Sequence, residues 1–142
     1  MRIRSLQKGD LEKLSYLYEQ FWHDRSNVEK MEREFDRVKD DKDYIFLAAE
    51  QDGTIVGSVM GVVCKELYGE CRPFLVVEDM IVDKPFRRSG AGRMLLSELE
   101  ARARALDCTQ MILVTEMGRT DACGFYENYG FSKNNKGYKK KI

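Results

Sequence analysis

The chain of 142 residues is 43% apolar and balances 24 Lys and Arg against 24 Asp and Glu. This length and composition predict one globular domain over residues 1–142 with a single core. Zero net charge argues against a general nucleic-acid binder, and no apolar run reaches the roughly 18 residues that a membrane span needs. No secretory pattern follows Met1, so we expect a cytoplasmic protein.

The N-terminal third of the chain predicts one strand and two helices. Residues 2–6 alternate as a short strand does. Asp10, a typical N-cap residue, precedes apolar residues at helical spacing. A second amphipathic segment follows Ser26-Asn27-Val28-Glu29, which has the form of a capping box. We therefore expect two helices that meet near Trp22.

The middle of the chain predicts three strands. Residues 44–50 and 55–64 read as strands joined at Asp52-Gly53, which is a strong hairpin signal. A connection of nine residues, 65–73, is long for a hairpin and leads into a third apolar strand over residues 74–82.

That third strand runs into a glycine-rich loop and then into an amphipathic helix. The loop ends in Arg87-x-x-Gly90-x-Gly92. Unpaired backbone N–H groups at a helix N-terminus favour negative charge, glycines allow close approach and positive φ, and arginines add charge-assisted donors. The pattern predicts a phosphate site, with an ordinary strand–helix turn as the alternative. The expected phosphate contacts are Arg87, Arg88, Ser89, Gly90, Ala91, Gly92 and Arg93.

A second motif lies in the C-terminal part of the chain. Residues 111–115 predict a strand, a helix follows from Thr120, and residues from Phe131 onward predict a terminal strand pair. The helix and the start of that pair read Ala122-Cys123-Gly124-Phe125-Tyr126-Glu127-Asn128-Tyr129-Gly130-Phe131.

The two motifs, in this order, resemble the signatures of the GNAT superfamily of acetyl-CoA-dependent N-acetyltransferases. That family has Gln/Arg-x-x-Gly-x-Gly/Ala before a helix and Ala-x-x-Phe-Tyr-x-x-x-Gly-Phe near the C-terminus. The resemblance is close in the C-terminal half and rests on element order in the N-terminal half. It implies an α/β (α+β) fold with a mixed, mainly antiparallel sheet of six to seven strands flanked by about four helices.

The resemblance also implies acetyl-CoA as cosubstrate and no metal. The pantetheine is expected along the backbone of Met80, Ile81 and Val82, which can pair with it as a strand would. Arg119 stands where many family members have an Asn that contacts pantetheine. We include Arg119 among the cofactor-binding residues, although its side chain differs.

Acetyl transfer to an amine requires a proton acceptor, because an alkyl amine has a pKa of about 10.4 and is mostly charged at neutral pH. Glu78 is the candidate general base. On a strand Glu78 and Asp79 point to opposite faces, so one can line a cleft while the other lies under a helix. The resemblance implies that Tyr126 donates a proton to the coenzyme A sulfur. The alternatives are ion pairing with arginines for the acids and a packed core tyrosine for Tyr126.

The expected acceptor is a primary amine on a small molecule, which attacks the thioester directly in a ternary complex. Acids beside aromatic rings suit a cation, so Trp22, Tyr68 and Glu78 are the candidate substrate-binding residues. A protein or peptide N-acetyltransferase, a CoA-binding module without catalysis and an unrelated nucleotide-binding domain are the alternatives. Whether the chain forms a homodimer stays open.

Overall fold

The structure, a computed structural model, describes residues 1–142. The chain divides into two compact units, 1–112 and 113–142, and the expectation of one domain over 1–142 stays a prediction. The first unit contains β1 (Arg2–Ser5), α1 (Leu11–Trp22), α2 (Val28–Val38), β2 (Tyr44–Gln51), β3 (Thr54–Cys64), β4 (Phe74–Val82), α3 (Ala91–Ala105) and β5 (Met111–Ile112). The second unit contains α4 (Thr120–Tyr129).

The strands form one mixed sheet in the order β1-β2-β3-β4-β5. Neighbouring strands from β1 to β4 are antiparallel, and β5 is parallel to β4. The predicted fold class and the four helices are confirmed, but the sheet has five strands rather than six or seven.

The missing strands are those predicted from Phe131 onward, where the structure has no strand. Five of the nine residues from 133 to 141 are lysines, and two more are asparagines. Both residue types are depleted in strands, and neighbouring lysines repel one another. Lys139 instead forms an ion pair with Glu116 inside the second unit (Nζ–Oε1 2.6 Å).

The predicted hairpin between β2 and β3 is confirmed. Its turn residues Asp52 and Gly53 have φ of 52° and 79°, which is the left-handed geometry that a two-residue type I′ turn requires.

Helices cover both faces of the sheet in the first unit. On one face, Leu11, Leu14 and Leu17 of α1 are buried in a cluster that includes Ile81 of β4. On the other face, α3 buries Leu95, Leu96 and Leu99. The approach of α3 depends on glycines in β3, since a Cβ on Gly61 would lie 2.7 Å from Cδ1 of Leu99.

Candidate active site

An extra residue in β4 breaks the alternation of the strand at the two acids. Ser58 of β3 pairs with Ile81, and Met60 pairs with Glu78. Two steps along β3 therefore match three steps along β4, which defines a β-bulge. Asp79 lies in this bulge and has a φ of 49°. Left-handed geometry at a non-glycine residue costs energy and is found preferentially at functional sites.

The bulge changes which side of the sheet each residue faces. Val77 pairs with Gly61 on the α3 side, whereas Ile81 pairs with Ser58 and packs with α1. Glu78 pairs with Met60, which lies on the same face as Ser58 because strand residues alternate.

The expectation that Glu78 and Asp79 point to opposite faces is therefore wrong. Both acids lie on the α1 side, because the bulge supplies the one extra residue that the alternation did not allow for.

A cleft at the C-terminal end of α1 lies beside this bulge. Its volume is about 320 Å³, and Trp22 is 48% exposed in it. The ring of Trp22 packs edge-on against Tyr18 at a centroid distance of 5.3 Å. The cleft is lined by Tyr18, Trp22, Asp24, Arg25, Ser26 and Asp79.

The candidate substrate residue Trp22 therefore lies beside Asp79, the neighbour of the candidate base. Our sequence reasoning did not single out Tyr18, although its spacing of four residues from Trp22 places both on one helix face.

The two acids of the bulge, Glu78 and Asp79, both have raised pKa values. Burial raises the pKa of Glu78, and the adjacent charge of Asp79 raises it further. The pKa of Asp79 is also raised. Asp79 is exposed as a whole residue, but the surrounding protein reduces the hydration of its carboxyl group, which disfavours the charged form. Burial raises the pKa of Tyr18, and the negative charge of Asp79 raises it further by a smaller amount. A carboxylate with a raised pKa accepts a proton more readily near neutral pH.

The loop between β4 and α3 has the geometry of an anion site. Arg88 and Gly90 have φ of 63° and 93°, and Gly90 is the N-cap of α3. The first N–H groups of a helix have no partner within it, and alternating right- and left-handed residues form concave nests of N–H groups. A Cβ on Gly90 would meet no atom within 4 Å, so space beside the backbone is open. These features fit a phosphate group.

Two side chains of this loop brace its backbone. Ser89 Oγ donates to the carbonyl of Phe86 (2.5 Å), and Arg87 Nε donates to the carbonyl of Val82 (3.4 Å). The predicted pantetheine-binding residues Met80, Ile81 and Val82 form the end of β4. They come shortly before the predicted phosphate-binding loop in the chain, and both segments belong to the first unit.

Tyr68 lies in a different cleft of the first unit. This cleft is larger, about 450 Å³, and lies between the loop that follows β3 and the segment that precedes β5. It does not include Trp22 or Glu78, so the structure separates Tyr68 from the two residues that the sequence analysis grouped with it. Its lining consists of Glu66, Tyr68, Gly69, Glu70, Arg72, Thr109 and Gln110.

The second unit contains Tyr126 and Arg119. The Tyr126 ring is partly buried, with its centroid 5.2 Å from that of Phe125 and 5.9 Å from that of Phe131. Burial raises the pKa of Tyr126, and the charge of Arg119 partly opposes this rise. The phenol is therefore protonated at neutral pH and able to donate. The Thr115 hydroxyl, which the sequence analysis missed, is buried without a hydrogen-bond partner.

The chain matches a known protein family. A model of the acetyltransferase (GNAT) family matches residues 11–131, which is most of the chain. The chain therefore belongs to the acetyltransferase (GNAT) family, and its enzyme class is N-acetyltransferase. No group of three or more His, Cys, Asp or Glu residues is placed to hold a metal ion, and none of the helices is both long and apolar enough to cross a bilayer.

Solved structures share the fold across the whole chain. A transcriptional regulator from Bacillus halodurans C-125 is 25% identical with a TM-score of 0.91, and 99% of each chain is covered. Glucosamine-6-phosphate N-acetyltransferase from Arabidopsis thaliana is 20% identical, with a TM-score of 0.85 and coverage of 99% and 97%. AAC(6')-Iy in complex with the bisubstrate analogue CoA-S-monomethyl-acetylneamine is 20% identical, with a TM-score of 0.80 and coverage of 99% and 98%.

Proposed function

We propose that this protein transfers the acetyl group of acetyl-CoA to a primary amine of a small molecule, by direct attack in a ternary complex in the cytoplasm. The observation that carries the proposal is the bulge in β4, which turns Glu78 and Asp79 to the side of the sheet that carries α1. There Asp79 and the rings of Tyr18 and Trp22 line a cleft of about 320 Å³, a size that suits a small cation rather than an extended peptide.

The cofactor assignment rests on the family and on the loop. Members of this family use acetyl-CoA, and the relative AAC(6')-Iy is described with a ligand that joins CoA to acetylneamine. Acetyl-CoA supplies the activated thioester that the amine attacks. Residues Arg87 to Arg93 would hold its phosphates, because the left-handed Arg88 and Gly90 direct N–H groups at the start of α3. The backbone of Met80, Ile81 and Val82 would hold the pantetheine, and Arg119 is proposed as a further cofactor-binding residue.

The proposed reaction gives one role to each of these polar groups. Asp79 attracts the ammonium form of the substrate into the cleft, where the ring faces of Tyr18 and Trp22 stabilise a cation. Glu78 takes the proton from the amine, directly or through a water molecule, and its raised pKa suits that role. Tyr126 donates its phenolic proton to the departing thiolate, and the tyrosinate then regains a proton from solvent. Its raised pKa means that the phenol is protonated before the transfer.

A turnover assay over a panel of acceptors tests the proposal. Release of CoA would be followed with a monoamine, a diamine, an amino sugar and a short peptide, using the wild type, Glu78→Gln and the control Glu29→Gln. Glu29 is an exposed acid of α2 that lines neither cleft. We expect turnover of at least one small amine, lost in Glu78→Gln and kept in Glu29→Gln. Preference for the peptide would instead indicate a peptide N-acetyltransferase, and CoA binding without any turnover would indicate a non-catalytic module.

A further inference from the structure

Asp83, the first residue after β4, is a buried acid that the proposed chemistry does not use. It is 6% exposed. Its carboxylate accepts from two side chains of α1: Gln20 Nε2 donates to Oδ1 (2.9 Å), and Lys13 Nζ donates to Oδ2 (3.2 Å). Gln20 closes the network, since its Oε1 accepts from the N–H of Lys84 (3.4 Å). We name Asp83, Gln20 and Lys13 the α1 clamp.

The α1 clamp is ordered and charged. Burial opposes ionisation of Asp83, but the hydrogen bonds from Gln20 and Lys13 outweigh this effect and hold the pKa below its usual range. Lys13 and Gln20 are seven residues apart, two helical turns, and therefore lie on one face of α1. Both donors thus reach the same carboxylate without bending the helix.

The two sides of the clamp are anchored differently. The backbone of Asp83 is held without its side chain, because its N–H donates to the carbonyl of Val56 (2.8 Å) and its carbonyl accepts from Phe86 (2.9 Å). On the α1 side, Leu11, Leu14 and Leu17 are buried, Tyr18 and Phe21 are partly buried against the same cluster, and Trp22 at the end of the helix is exposed. Gln20 therefore adds a hydrogen bond to the part of α1 that packing buries least.

We propose that Asp83, Gln20 and Lys13 are positioning residues that hold α1 at the end of β4. Lys13 acts on the first turn of α1 and Gln20 on the last, and together they keep Tyr18 and Trp22 in place as the wall of the acceptor cleft. Loss of the clamp would move this wall while leaving the β4–α3 loop in place. The acceptor amine should then bind less well and CoA should bind as before. This inference rests on the proposed function for its kinetic consequence, but the movement of the helix can be measured without turnover.

Gln20→Met tests the clamp, because methionine preserves the length of the side chain and removes its hydrogen bonds. Glu19→Met is the matched control: it places the same residue on an exposed position of the same helix, three residues from Trp22. Trp22 is the single tryptophan of the chain, so its emission and its quenching by acrylamide report the end of α1 directly. Lys13→Met, at a partly exposed position, provides a second clamp variant in case Gln20→Met does not fold.

We expect Gln20→Met to change Trp22 emission and quenching and to raise KM for the amine roughly tenfold, the size of one lost hydrogen bond to a charged group. The affinity for CoA, measured by calorimetry, should stay at the wild-type value. Lys13→Met should shift the same two observables in the same direction, and Glu19→Met should match the wild type.

A purely structural role for the clamp would lower the melting temperature and leave Trp22 quenching and the KM of the amine unchanged, and that result would overturn the proposal. A loss of CoA affinity equal to the loss for the amine would also overturn it. If the wild type turns over no amine, the proposed function fails. The quenching of Trp22 still tests the clamp in that case: a change in Gln20→Met supports the positioning of α1, and no change overturns it.

Discussion

Gly90→Ala measures how much of CoA binding depends on the left-handed backbone of the loop. Gly90 has a φ of 93°, and a Cβ there would meet no atom within 4 Å. The substitution therefore causes no steric clash, and its cost is the strain of left-handed geometry in an alanine, about 1–2 kcal/mol. If the loop relaxes to negative φ to relieve this strain, its N–H groups turn away from the anion.

The expected loss of affinity follows from the same strain. CoA binding must restore the left-handed geometry, so binding becomes less favourable by up to about 1–2 kcal/mol. This corresponds to roughly 5- to 30-fold weaker affinity. Calorimetric titration of CoA into the folded variant measures this change, and a thermal melt measures the stability.

Gly53→Ala is a matched control for this measurement. Gly53 has a φ of 79° and an equally open Cβ position, but it lies in the β2–β3 turn. Both variants should lose similar stability, and only Gly90→Ala should lose affinity for CoA. Wild-type CoA affinity in Gly90→Ala, together with a stability loss like that of Gly53→Ala, would refute the role of the left-handed loop in cofactor binding.

Four further substitutions test the proposed site and the packing that supports it. Glu78→Gln should lower turnover about 10²–10⁴-fold at neutral pH and less at high pH, where free amine is already present; an unchanged pH–rate profile would make Glu78 structural. Asp79→Asn removes a neighbouring negative charge and so lowers the pKa of Glu78, which should move the acid limb of kcat/KM to lower pH, whereas a shift to higher pH would contradict the coupling. Tyr126→Phe should lower kcat with little change in CoA affinity, while full kcat with a stability loss of about 1 kcal/mol would indicate a structural hydroxyl. Gly61→Ala should destabilise the fold by about 1–3 kcal/mol in urea unfolding, because its Cβ would lie 2.7 Å from buried Leu99, and a stability equal to wild type would show that α3 can yield.

The sequence alone determined most of the local structure that leads to the site. The bounds of β4 are those predicted from its apolar run, and the hairpin at Asp52-Gly53 has the expected left-handed turn. The positive φ at Gly90, where α3 begins, follows the glycine pattern. These features depend on the conformational preferences of a few adjacent residues, and such preferences can be read from neighbouring letters.

Only the tertiary structure decided which residues face the acceptor cleft. The bulge at Asp79 is a property of the pairing between two strands, so a rule based on alternation in one strand missed it. The bond between Gln20 and Asp83 joins residues 63 positions apart, and no local pattern predicts such a partner.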